Sequence, residues 1–345
     1  MSEASTSHRN NFGLLRLVFA MCVLVSHSFE LVDGNRSREP LTQLFGTLSF
    51  GELGVDGFFL VSGYLITQSF SNSTSLFSYL WKRVLRIYPA FVVVYCLCIL
   101  VVGPLSGADM KTLGGISRIF YMLLLQPPWL AGAFADLHYP ALNGSMWTIA
   151  YEFRCYLAIA ALGSFGVLRT RRAFLILASA LLAASVFSAD MKLSSVELAL
   201  VGDPHDTVRF ASIFFCGAAF YIFRDTIRYS NSLAIIAAIM LIGLLFNRTT
   251  EELAMPILGG YLIFWFAFLP AASALNNINT DPDMSYGIYL FAWPIQSLLI
   301  KFIPGIQPLP VIVLTTLATA ALALLSWRFI EKPSLSLKGI AVMRS

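Results

Sequence analysis

The chain alternates between long apolar runs and short polar breaks, many of them basic. A helix needs about 20 apolar residues to cross the hydrocarbon core of a bilayer. Ten runs meet or approach that length: 14–32, 51–69, 87–104, 145–166, 173–189, 208–223, 232–246, 254–273, 284–302 and 309–329. Each is predicted to be a transmembrane helix. An eleventh run, ISRIFYMLLLQPPWL at 116–130, is interrupted by Gln126, Pro127 and Pro128. Its unbroken part is too short to span, so a re-entrant or interfacial segment is predicted there.

The polar breaks supply a direction, because lysine and arginine concentrate in cytoplasmic loops. Arg9 and Arg16 open the first run, and Lys82, Arg83 and Arg86 separate the second from the third. Arg169, Arg171 and Arg172 follow the fourth, and Arg224 and Arg228 the sixth. If 116–130 does not cross, all of these fall on one side, which puts both termini in the cytoplasm. The two halves share no internal similarity and no low-complexity linker divides them. The expected architecture is an all-α polytopic membrane protein of about ten transmembrane helices. One membrane domain over 14–333 would be flanked by cytoplasmic tails at 1–13 and 334–345.

Composition agrees with this. Of the 345 residues 57% are hydrophobic and only 12% are charged, and the mean hydropathy of +0.74 lies far outside the range of water-soluble domains. The first apolar run contains a charge and lacks a small-residue cleavage site, so it is read as a retained span rather than a signal peptide. Cys22, Cys96, Cys98, Cys155 and Cys216 all sit in apolar runs, and an odd number so placed makes packing residues rather than a disulfide framework. A net charge of +4, dispersed among loops, gives no reason to expect nucleic acid as a partner.

Against this background the polar residues inside the spans stand out. Arg16 and His27 are eleven residues apart, which comes within about 20° of three full helical turns, so they share a face. Along the axis they are separated by roughly 16 Å. Asp56 in the second span and Glu152 in the fourth fall, by helix rise, at about the depth of His27. Ionisable groups at such depth are costly and commonly line a cavity or pathway. The coincidence favours one polar cavity in which a carboxylate orients the imidazole for general-base work on a hydroxyl. Plainer roles compete: His27 bonding a neighbouring helix, Arg16 snorkelling as an anchor, Glu152 in a structural ion pair. Arg83 and Arg86, three apart, can point toward one anion such as a phosphate, or serve only as basic anchors of the inner surface.

The order of these motifs resembles the acyltransferase-3 family of integral membrane acyltransferases. Arg16 and His27 with ten residues between them, GVDGFFLVSGYLIT, Arg83-x-x-Arg86, NGSMWTIAYEFRCYL, SYGIYLFAWPIQ and RFIEKP are similar, in sequence, to that family's motifs from Leu14 to Pro333. The chain departs from it at Ala292, where many members carry a histidine, which leaves His27 as the lone imidazole in the motif set.

The resemblance implies transfer of an acyl group, most often acetyl, from cytoplasmic acetyl-coenzyme A as co-substrate, with no metal. The acceptor would be a hydroxyl of a glycan or glycolipid at the outer side of a bacterial inner membrane, with membrane lipids as the other partners. It makes His27 the base or transient acyl carrier, with Glu152 and Asp56 as its orienting carboxylates. Arg83 and Arg86 become phosphate ligands with Arg16 close by, and Ser62, Tyr64, Trp147 and Tyr286 line the acceptor site. Ten spans with buried charges also describe a secondary transporter, although the internal pseudo-symmetry common in that class is not evident here. A structural partner in a polysaccharide-export assembly is the third reading.

Overall fold

The computed structural model describes residues 10–187, 197, 200–269 and 275–338. His8, Arg9, Arg344, most of the two expected tails and the ends of two expected spans, 188–189 and 270–273, lie outside them. The described residues are helical wherever they are regular, with no strand among them.

Twelve helical segments are used below. In chain order α1 is Phe12–Asp33, α2 Pro40–Phe45 and α3 Phe50–Ser71. The helix α4, Leu76–Ser106, passes through a π-helical turn at Cys98–Val102, and α5 is Ile116–Leu123. Then come α6, Trp147–Ser164, α7, Arg171–Phe187, α8, Pro204–Ile222, and α9, Asn231–Leu244. The next, α10, starts as Arg248–Ala254 and continues through a π turn into Gly260–Ala267. Last are α11, Ser285–Phe302, and α12, Pro308–Ser336. A helix overlaps each of the ten apolar runs. By length and composition α1, α4 and α12 are long and apolar enough to cross a membrane.

Local chemistry explains where these helices start. Ser49 and Glu52 form a capping box at α3: the Ser49 hydroxyl accepts from the Glu52 amide at 3.1 Å and the Glu52 carboxylate accepts from the Ser49 amide at 2.9 Å. Asp203 caps α8 ahead of Pro204, which suits a first helical position. Ser75 caps α4, so this helix begins well before the run predicted from 87 and already contains Arg83 and Arg86. The eight residues of α5 span only about 12 Å, too little to cross. That helix ends before Gln126, Pro127 and Pro128, with Ile116, Ile119, Phe120 and Leu123 exposed.

Missing side chains bring the central helices together. At the α3–α8 crossing, a Cβ on Gly63 would lie 2.0 Å from the Phe214 carbonyl oxygen, and one on Gly217 2.0 Å from that of Leu60. Only glycine allows so close a backbone approach. Gly54 meets the Phe19 carbonyl of α1 in the same way. These contacts fix α3 between α1 and α8, while α11 packs on α1 and α12.

Candidate functional site

Between α1, α3, α4, α6 and α11 lies a cavity of about 860 Å³, its open mouth included. It brings together six of the residues singled out from sequence: Arg16, Ser62, Arg83, Arg86, Glu152 and Tyr286.

One end is basic. Arg86 and Arg16 both reach Asp283, at 2.6 and 3.1 Å, and Arg86 also lies 3.7 Å from Glu331. Asn279 and Ser285 donate to the other Asp283 oxygen, and Ser326 donates to Glu331. Burial alone would raise the Asp283 carboxyl, but Arg86 and Arg16 beside it overcome that and hold it well below the usual carboxylate range. Arg83 is placed differently. It donates to the Ser69 hydroxyl at 3.2 Å and lies over the rings of Tyr79 and Tyr156, at 5.9 and 6.0 Å. Among the described residues no carboxylate comes within 4.0 Å of it. The two arginines expected to act as a pair thus differ: Arg86 is neutralised and Arg83 keeps its charge available.

Halfway along, the Ser62 and Tyr156 hydroxyls both donate to Glu152 Oε1 at 2.6 Å and lie 3.2 Å from each other. Tyr156 is one helical turn after Glu152, and the Tyr79 hydroxyl anchors that turn by donating to the Tyr156 carbonyl at 2.9 Å. A carboxylate sharing hydroxyl protons inside a cavity can accept or relay a proton. The far wall includes Thr148 and Tyr289, whose hydroxyls are 2.5 Å apart.

His27 stands one layer behind that wall. Its Nδ1 is 3.4 Å from the Ser145 hydroxyl, and the Ser145 carbonyl accepts from Tyr289 at 2.6 Å. The imidazole meets the Trp293 ring edge-on at 4.8 Å, and the residue is 8% exposed. It does not itself line the cavity.

The expected carboxylate partners of His27 have other partners here. Glu152 faces Ser62 and Tyr156, and Asp56 faces Arg209, whose Nη2 is 2.9 and 3.0 Å from its two oxygens. Equal depth along parallel helices does not fix direction around them, and α3 turns Asp56 toward α8. Tyr64 is a packing residue, its ring 5.1–5.6 Å from those of Phe12, Tyr221, Phe264 and Phe268. Trp147, 39% exposed, packs on Tyr151 and Phe210 and is absent from the cavity wall. Three polar residues that matter were missed. Tyr156 was discoverable as the i+4 neighbour of Glu152. Arg209 was discoverable as a cation at the start of a span that could answer Asp56. Asp283 carries no spacing signal. Asp203, His205 and Asp206 have ligand atoms within 4.8 Å of one another at the start of α8, but Asp203 is the helix cap there and none of the three lines the cavity.

Comparison with known proteins matches residues 9–328 to a family described as an acyltransferase domain. The chain is 26% identical to an O-acetyl transferase of Shigella phage Sf6, over 94% of this chain and 96% of that protein. It is 28% identical to Nodulation protein 10 of Rhizobium leguminosarum bv. viciae, over 99% and 98%. No solved structure matches.

Proposed function

This chain belongs to the acyltransferase-3 family and is an acyltransferase of the membrane, and from that premise we propose that it moves an acetyl group from cytoplasmic acetyl-coenzyme A to a hydroxyl of a glycan or glycolipid at the outer side of a bacterial inner membrane. In this reading ten helices cross the bilayer and both termini are cytoplasmic. The similarity to an O-acetyl transferase supports acetyl and an oxygen acceptor.

The observation that carries the reading is the course of the cavity. It starts at Arg16, Arg83 and Arg86, passes the Ser62–Glu152–Tyr156 cluster, and ends on hydroxyls linked through Ser145 to His27. Arg83 holds a donor phosphate, for which a guanidinium is well suited. Asp283 keeps Arg16 and Arg86 in position around the donor. The pantetheine arm follows the cavity, with its thioester near Glu152 and Tyr289. His27 takes the proton of the acceptor hydroxyl, the acceptor oxygen attacks the thioester carbonyl, the carbon–sulfur bond breaks, and coenzyme A leaves as the thiol after taking a proton. Imidazole can also carry the acyl group between donor and acceptor. Either route requires the Tyr289–Ser145 layer to part, because it separates His27 from the cavity. Ser62 and Tyr286 stand where they would contact donor or acceptor, while Asp56 supports the site through α3 and α8.

The test is acyl transfer from labelled acetyl-coenzyme A in membranes. His27→Ala lowers the rate by ~10²–10⁴, the usual worth of a general base, in a protein that coenzyme A still stabilises thermally. A folded His27→Ala protein with undiminished transfer would overturn the mechanism.

A further inference from the structure

The C-terminal turns of α12 run alongside α4. Glu331 lies at Arg86, 3.7 Å away, and the Leu337 carbonyl accepts from the Trp81 indole at 3.3 Å. Trp81 and Arg86 are about 7.5 Å apart along the helix axis, so 331–337 runs antiparallel to 81–86. Lys332 and Trp327 tie the same segment to Asp281, at 2.7 and 2.9 Å. Lys338, the residue after Leu337, is therefore close enough to Lys82, Arg83, Arg86 and Arg16 to feel their charges, beside the basic end of the cavity although neither lysine lines it.

The charges there do not balance. Asp283 and Glu331 are engaged by Arg16 and Arg86. Lys82 has the Ser73 hydroxyl at 3.3 Å, and among the described residues neither Lys82, Arg83 nor Lys338 has a carboxylate within 4.0 Å. Burial and the neighbouring Arg83, Arg86, Lys82 and Arg16 push the Lys338 ammonium down to about 8. Like charges held together by the fold, short of counter-charge, form a site for an external anion.

We infer that Lys338, with Lys82 and Arg83, forms a phosphate-binding mouth that takes the terminal phosphate monoester of a coenzyme A thioester. The inference rests on the donor assigned above. A monoester carries nearly two negative charges at neutral pH, which suits three cations better than the single charge of a phospholipid diester.

The test measures Kd of the full-length protein for coenzyme A and for dephospho-coenzyme A, which lacks that phosphate, in phosphatidylcholine and in phosphatidylglycerol nanodiscs. Wild type prefers coenzyme A by about tenfold, the size of one charge-assisted hydrogen bond. Lys338→Met loses most of this preference and binds dephospho-coenzyme A within twofold of wild type, and Lys82→Met gives a second, independent reading of the same mouth. Preference retained in both variants overturns the inference. If wild type instead ignores the phosphate and gains thermal stability from phosphatidylglycerol in a Lys338-dependent way, the mouth binds a lipid headgroup and the nucleotide assignment is wrong. Absence of any coenzyme A binding by wild type would remove the donor reading itself.

Discussion

Ser62 and Glu152, ninety residues apart in the chain, meet at 2.6 Å inside the cavity, with the Tyr156 hydroxyl on the same carboxylate oxygen. The carboxylate thus stands in a hydrogen-bonded cluster where a thioester carbonyl would pass. Glu152→Gln keeps the shape and removes the proton acceptor. It is expected to lower kcat by ~10²–10⁴ while leaving the donor KM nearly unchanged. Ser62→Ala leaves Tyr156 in place and costs about 1.5–3 kcal/mol of stability, the worth of one hydrogen bond to a charged group. Steady-state kinetics of Glu152→Gln with an unaltered kcat would end the proton-transfer role.

Asp56 and Arg209 make a buried ion pair between α3 and α8, with side chains 2% and 11% exposed. Removing one partner strands the other charge. Asp56→Ala is expected to cost ~3–5 kcal/mol, whereas Asp56→Leu combined with Arg209→Met costs much less. Thermal unfolding in detergent separates the cases. A catalytic role for Asp56 would instead appear as lost activity in a double variant that is fully stable.

Arg83 and Arg86 diverge in their partners, and so should their variants. Arg83→Ala raises the donor KM by about tenfold with little change in unfolding temperature, as loss of a charge-assisted contact to ligand predicts. Arg86→Ala leaves the buried Glu331 without its cation and Asp283 with Arg16 alone, and destabilises the fold by ~3–5 kcal/mol. Equal kinetic and thermal effects in the two variants would refute this division.

Lys338 supplies a pH dependence. Its ammonium, ordinarily protonated to 10.5, is held at about 8 by burial and by Arg83, Arg86, Lys82 and Arg16, with Asp283 and Glu331 the acids nearby. A bound phosphate favours the charged form, so donor binding takes up a proton near pH 8. Affinity is full below that pH and falls as pH rises through it. Folding stability moves the opposite way, rising from pH 8 toward 10.5 as the unfolded chain binds the extra proton. Acetyl-coenzyme A is the appropriate probe because its thioester has no titrating thiol. A wild-type Kd profile as flat as that of Lys338→Met between pH 7 and 9 would contradict the prediction.

The helices and six of the ten polar residues that line the cavity were legible in the sequence. Apolar runs announced the helices because a spanning segment must be both long and oily. Glu152 stood out because an ionisable group at such depth is too costly to be incidental, Arg16 because it shares a helical face with His27, Arg83 and Arg86 through their spacing, and Ser62 and Tyr286 only through the family resemblance. Partner choice could not be read in this way. Helix rise gives depth, which is why His27, Asp56 and Glu152 fell at one level, but it does not tell how each helix is rotated against its neighbours. That rotation was decided by backbone contacts at Gly54, Gly63 and Gly217, made by residues far apart in the chain. They turned Asp56 to Arg209 and brought Glu152 to Ser62. The C-terminal turns of α12 brought Glu331 to Arg86, and Asp283, just ahead of α11, came between Arg16 and Arg86. A one-dimensional pattern records which side chains must be hidden or satisfied; only the packed bundle decides which of them satisfy one another.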